Sequence, residues 1–206
     1  MGIVPRMFRT TFAAALALLI SAPAFAQTSE FGVLVGGSKR LISHRDQAAG
    51  LGISDNFKIS NSVRELFYSV QIDPGTRFKI KAGQITAPVA FQFTTPTGPA
   101  RTDVAKGTVD HVDGVIDYRF SEPFGSTGLF AGIGLYRQNG TITDTAVPVE
   151  QRGRAEETNY GFSGGVNGNF PMTRRSGIIV EVTYHMINYH YKVRYVTATG
   201  GLRFSF

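Results

Sequence analysis

The sequence predicts an all-β chain: an eight-stranded antiparallel up-and-down barrel that crosses a membrane with strands. Three observations carry this. Apolar and polar residues alternate in segment after segment, the period of an extended strand with one greasy face and one wet face. The connections between segments alternate between short and long. The composition, with 24 Gly, 16 Phe and 8 Tyr but no Trp or Cys, suits tight corners and aromatic rings rather than a helical bundle. Mean hydropathy is near neutral, as alternation requires when lipid-facing and enclosed residues average out.

Residues 1–26 read as an address. Arg6 and Arg9 give a positive start, Thr11 to Ile20 is an apolar run, and small residues at Ala24 and Ala26 precede Gln27. This is the layout of a secretory signal peptide, and the run is about half of what a spanning helix needs. No Cys follows, which excludes a lipid-modified start. The mature domain is then 27–206. Without the two leader arginines the formal charge falls from +6 to about +4. The basic residues form no single stripe, so nucleic-acid binding is not expected.

The segments follow in order. The first, Glu30 to Leu41, can place Phe31, Val33 and Val35 on one side; its facing is ambiguous. Ser43 to Asn61 reads as a long loop. The second, Ser62 to Ile72, sets Leu66, Tyr68, Val70 and Ile72 against Glu65, Ser69 and Gln71. Asp73-Pro74-Gly75-Thr76 is a turn signature. Keeping apolar sets on one face pairs Ile72 with Phe78 through a three-residue turn, Pro74-Gly75-Thr76. The third segment, Arg77 to Ala87, sets Phe78, Ile80 and Ala82 against Arg77, Lys79 and Lys81. Past Gly83 the alternating set becomes Ile85, Ala87, Val89, Phe91 and Phe93, which predicts a bulge at Gly83. Thr94 to Gly107 reads as a second long loop.

The fourth, Thr108 to Phe120, sets Val112, Ile116, Tyr118 and Phe120 against His111, Asp113, Asp117 and Arg119. The fifth, Gly128 to Gln138, sets Leu129, Ala131, Ile133 and Leu135 against Gly132, Gly134, Tyr136 and Gln138. Asn139 to Glu156 reads as a third long loop. The sixth, Glu157 to Phe170, sets Tyr160, Phe162, Val166 and Phe170 against Asn159, Ser163, Asn167 and Asn169. The seventh, Gly177 to Asn188, sets Ile178, Val180, Val182, Tyr184 and Met186 against Glu181, Thr183 and His185. A tight turn near Tyr189 leads to the eighth, where Val196, Ala198, Gly200, Leu202, Phe204 and Phe206 share a face. Aromatics gather at strand ends: Phe78, Phe120, Phe170 and Phe206 below, Tyr136, Tyr160, Tyr189 and Tyr191 above.

A final strand closing on Phe206, with Phe204, Leu202 and Tyr195 before it, resembles the C-terminal strand of bacterial outer-membrane β-barrels. The whole 27–206 stretch is similar to the small eight-stranded members of that family, of the OmpX type and the OmpA membrane domain. The resemblance implies a bacterial outer-membrane location and recognition of Tyr195, Leu202, Phe204 and Phe206 by the outer-membrane assembly machinery. It also implies short turns on the periplasmic side, contact with lipid and lipopolysaccharide, and loops 43–61, 94–107 and 139–156 facing extracellular partners.

An eight-stranded barrel has room inside for side chains only. The inward set of Glu65, Lys79, Lys81, Asp113, Asp117, Arg119, Glu181 and Arg203 predicts an ion-paired plug, with Lys81 and Glu181 in one network. The expected role is therefore structural or interactive, without catalysis. A narrow pore or small-solute channel is the alternative. A lipid A-modifying enzyme is a further one, for which the chain offers only Ser43, His44 and Asp46 in the first loop, and His185 and His190 with no nearby Ser. His44, His111, His185 and His190 lack ligand spacing, so no metal or cofactor is expected.

Overall fold

The computed structural model describes residues 28–41, 58–95, 98–122, 125–145, 147–189 and 192–206. The expected leader, residues 1–26, and most of the first expected loop lie outside the described residues. Alternation becomes eight strands: β1 (Ser29–Leu41), β2 (Lys58–Asp73), β3 (Thr76–Thr95), β4 (Gly98–Glu122), β5 (Gly125–Ile142), β6 (Gly153–Pro171), β7 (Ser176–Asn188) and β8 (Lys192–Ser205). Each pairs antiparallel with the next, and β1 closes on β8. Closure matters because hydrocarbon offers no partner for an unpaired backbone edge. No helix among the described residues is long and apolar enough to cross a membrane.

The register sets the tilt. Following cross-strand partners from Glu30 through Ser69, Lys79, Val115, Gly132, Ser163, His185 and Tyr195 returns to Arg40, ten residues up the same strand. That circuit closes with a shift of ~33 Å along the strand over ~38 Å of strand spacings, so the strands lean by about 40°.

Parity then decides every facing. Outside lie Phe31, Val33, Val35, Leu66, Ile116, Leu129, Ile133, Phe162, Val166, Val180, Val182, Leu202 and Phe204, with Ile133 65% exposed and Leu202 50%. Such a continuous apolar exterior is intelligible only against lipid. The first strand resolves the same way: Glu30 and Leu34 point inward, and Phe31, Val33 and Val35 outward.

Several expectations change. The turn after β2 is the two-residue Pro74-Gly75, with Asp73 opposite Thr76 and Gly75 at φ 84°. An even loop would set Ile72 opposite the inward Arg77. A register shift between Gln71 and Asp73 absorbs that mismatch, so Phe78 pairs with Val70 rather than Ile72. No bulge occurs at Gly83, which stays in register with Glu65 and His111. The irregularity lies higher, between Ala87 and Val89. Odd-numbered residues face inward on both sides of Gly83: Lys79 and Lys81 below, Ile85, Ala87, Val89, Phe91 and Phe93 above, all buried. The facing never slips; the chemistry of the interior changes from charged to apolar.

One expected loop is largely strand, and another is strand at both ends. Thr94 pairs with Pro99 and Thr95 with Gly98, so β3 and β4 run on as a hairpin through the expected 94–107 loop. Likewise Asn139 pairs with Glu156 and Ile142 with Gly153, shrinking the 139–156 loop to its middle. At about 2.5 Å of height per tilted residue, the 25 residues of β4 reach roughly 60 Å, well beyond an apolar band of ~25 Å. The upper aromatic ring is also smaller than expected. Tyr160 is exposed, but Tyr136 and Tyr189 are buried inside, and Tyr191 lies outside the described residues.

Candidate functional site: a filled lumen

The interior is layered, and each layer draws on several strands. Lowest is the Glu30 carboxylate of β1. Arg119 of β4 and Arg203 of β8 each approach it to 2.9 Å, and Arg77 of β3 to 3.5 Å. Arg119 also donates to Asp117 at 3.1 Å, which ties this layer to the next.

The middle layer centres on Glu181 of β7. Lys79 donates to one of its oxygens at 2.6 Å and Lys81 to the other at 2.8 Å. Lys79 also lies 3.3 Å from Asp117, and Lys81 3.2 Å from Glu65. Both lysines are 0% exposed. Two aromatic faces complete the cage: Lys79 sits 5.1 Å from the Phe67 ring and 5.3 Å from Phe130, and Lys81 5.2 Å from Phe130. Asn167 donates to the second oxygen of Asp117 at 2.8 Å and accepts from Asn169 at 2.7 Å. Charges taken from water survive only when paired this fully.

Above them sits a histidine layer. His111 lies 2.7 Å from Asp113 and 3.3 Å from Glu65. Its ring stacks on Tyr136 at 5.6 Å, and the Tyr136 hydroxyl meets His185 Nδ1 at 3.1 Å. His185 Nε2 meets the Thr197 hydroxyl at 3.3 Å. Higher still the lumen is apolar: Ile85, Val89, Phe91, Val109, Ile187 and Val193 form one buried cluster, joined by Tyr189 and Tyr195. Val147, from the segment between β5 and β6, inserts into the same cluster fully buried. The Gln151 side chain ties that segment down, accepting from the Thr94 amide at 3.0 Å and donating to its carbonyl at 3.1 Å.

Glu65, Lys79, Lys81, Asp113, Asp117, Arg119, Glu181 and Arg203 thus all line the lumen, and Lys81 and Glu181 touch. The anchor Glu30 was missing from the sequence reading, although it shares parity with Leu34. Phe67, Val115, Phe130 and Ile179 were missed too; each falls between inward polar or glycine positions two residues away. Tyr195 does not share a face with Leu202, Phe204 and Phe206. It has odd parity on β8, so it points inward, where its hydroxyl donates to the Pro88 carbonyl at 3.2 Å. Ser43, His44, Asp46 and His190 lie outside the described residues. Among the described residues no His, Asp and Glu group is arranged to hold a metal.

No protein-family model matches this chain, and no curated protein matches it. Solved structures do. Neisserial surface protein A aligns over 90% of this chain and 100% of its own, at 11% identity and a TM-score of 0.58. Ail of Yersinia pestis aligns over 87% and 97%, at 13% identity and a TM-score of 0.48. The N-terminal β-barrel domain of Pseudomonas aeruginosa OprF covers the same shares at 13% identity and a TM-score of 0.45. At such identities the likeness is one of fold, and the first alignment carries it. The chain is an eight-stranded β-barrel of the outer-membrane type.

Proposed function

We propose that this protein is a closed barrel of the bacterial outer membrane that presents a rigid surface platform and conducts little or nothing. The observation that carries the reading is the Glu181 carboxylate gripped by two lysines that are both 0% exposed. An aqueous path would leave those ammonium groups wet. The apolar cluster above, stoppered by Val147, is a second seal. What remains available for contact is the part above the belt. There the β3–β4 and β5–β6 hairpins stand out as paired strands, joined by the Gln151–Thr94 hydrogen bonds. These hairpins, with residues 43–61, are the candidate docking surfaces for extracellular partners. The face of Leu202, Phe204 and Phe206 is the candidate contact for the assembly machinery.

Planar-bilayer recording of the refolded barrel tests the reading. The expected trace is silent or shows only small, rare steps. Stable large conductance steps would refute the sealed lumen.

A further inference from the structure

Inside the barrel the charges balance in number but not in place. Through the lower, middle and histidine layers, Arg77, Lys79, Lys81, Arg119 and Arg203 meet Glu30, Glu65, Asp113, Asp117 and Glu181. The two lysines offset two carboxylates: Asp117 lies 3.3 Å from Lys79, and Glu181 2.8 Å from Lys81. Glu65 and Asp113 are left at the top, around His111. The three arginines are left at the bottom with Glu30 alone, three guanidiniums against one carboxylate, an excess of two positive charges. The turns at that end do not cancel it, because Asp73 and Glu122 are matched there by Arg174 and Arg175.

Two donors of this layer are unspent. Arg119 Nη1 and Arg203 Nη1 both donate to one Glu30 oxygen, at 3.1 and 2.9 Å, and Arg119 Nε goes to Asp117. Arg119 Nη2 and Arg203 Nε are buried without a hydrogen-bond partner. A buried donor left unmade is costly, more so on a charged group. Such groups in folded proteins meet water, an ion or a ligand. Arg77 differs, since its Nε donates to Ser69 at 3.2 Å and its Nη2 to the Thr28 carbonyl at 2.7 Å. It adds charge and no free donor there. The mouth is not sealed from below: the Arg119 side chain keeps 10% exposure and Arg203 15%.

We propose that the lower mouth of the lumen binds a small doubly charged oxyanion of the phosphate class, with Arg119 Nη2 and Arg203 Nε donating to its oxygens. Planar forked donors suit such oxygens. Two guanidiniums already pinned on one carboxylate oxygen lose little freedom when the anion arrives. Their burial keeps salt from screening them as it screens surface arginines. The ligand comes from solution and not from a lipid head group, because all three arginines face the lumen. The site lies below the Lys79–Glu181 contact, so it needs no open path through the barrel.

Titration calorimetry of the folded barrel in detergent, at mildly alkaline pH where phosphate is a dianion, tests the site with inorganic phosphate, sulfate and nitrate. Phosphate and sulfate should bind alike, and singly charged nitrate about tenfold more weakly. Arg203→Gln and Arg119→Gln should each weaken phosphate by about tenfold. Glu30→Gln keeps an acceptor for the arginines, removes the competing charge, and should tighten phosphate by about tenfold. Arg174→Gln with Arg175→Gln, at the same end but on an exposed turn, should leave affinity within about threefold. Equal affinity for nitrate and phosphate overturns the site. So does weaker binding by folded Glu30→Gln, or a turn-variant loss matching that of Arg203→Gln. Heat-modifiable gel mobility verifies folding, and Arg203→Gln alone serves if Arg119→Gln, which also gives up Asp117, does not fold. Conductance of the same preparations is read in parallel. A silent barrel without phosphate binding sinks only this site, whereas a conducting barrel sinks the sealed-lumen reading.

Discussion

Glu181 holds two lysines that have no access to water. Removing its charge leaves Lys79 with Asp117 and Lys81 with Glu65, each at a longer distance. Breaking a buried ion pair by deleting one partner costs about 3–5 kcal/mol, because an uncompensated charge stays behind. Glu181→Ala should therefore lower stability by about that amount in urea unfolding from phospholipid vesicles. Glu181→Gln should cost less, since an amide oxygen still accepts from one lysine. Equal, near-zero costs would mean that water already reaches the network. Small residues matter as much as charged ones here. A Cβ on Gly83 would lie 2.6 Å from the Arg64 carbonyl oxygen, 2.7 Å from Glu65 Cγ and 2.9 Å from His111 Nε2. Gly83→Val should cost about 1–3 kcal/mol by overpacking, in the same unfolding assay. The missing side chain is what lets the Glu65–His111 contact form.

At the scale of elements, the upper interior is a stopper built from two hairpins. The segment between β5 and β6 carries a 3-10 turn, Val149–Gln151. It is held by Val147 below and by Gln151 at the side, while Arg152 donates to the Val147 carbonyl at 2.7 Å and to Thr145 at 2.8 Å. A carboxylate at position 147 would be buried among apolar side chains without a partner. Val147→Asp should free the segment, and limited proteolysis should then cut between 143 and 152 while the barrel keeps its heat-modifiable mobility. Gln151→Ala, which keeps the apolar anchor, should raise cutting far less. These hairpins also mark where sequence reading stops. Facing was legible because parity is obligatory: β5, β6 and β7 alternate as their residues do. The extents of β3 and β4 were not legible. Ten of the fourteen residues from Thr94 to Gly107 are Thr, Pro, Gly or Ala, which look like a loop, yet backbone pairing asks nothing of side chains. The apparent slip at Gly83 comes from a change in what fills the odd, inward positions, from Lys79 and Lys81 to Ile85, Ala87 and Val89, since an apolar residue does not by itself mark lipid. Above the charged layers apolar residues also fill the lumen, and only the closed register separates them from the lipid-facing ones.

For the whole molecule, the decisive property is that its apolar surface points out and its charged residues are gathered within. A water-soluble eight-stranded barrel would need the reverse, with residues such as Val180, Val182, Leu202 and Phe204 packed inside; all four are instead exposed. One charge placed on the exterior therefore separates the two cases. Ile133 lies mid-strand on β5 and is 65% exposed, so an arginine there meets no steric obstacle. In water it would be nearly neutral, as surface substitutions are. In a bilayer it must enter hydrocarbon, at about 2–4 kcal/mol near the midplane and 0–1 kcal/mol near an interface. Ile178 is also exposed, but it lies two residues from the start of β7, close to the lower edge of the belt. Folding into phosphatidylcholine vesicles should accordingly be impaired by Ile133→Arg and little changed by Ile178→Arg, while both variants fold alike in detergent micelles, whose heads can follow the charge. Equal, small effects of the two substitutions in vesicles would mean that the exterior does not sit in hydrocarbon, and the outward apolar belt would need another partner.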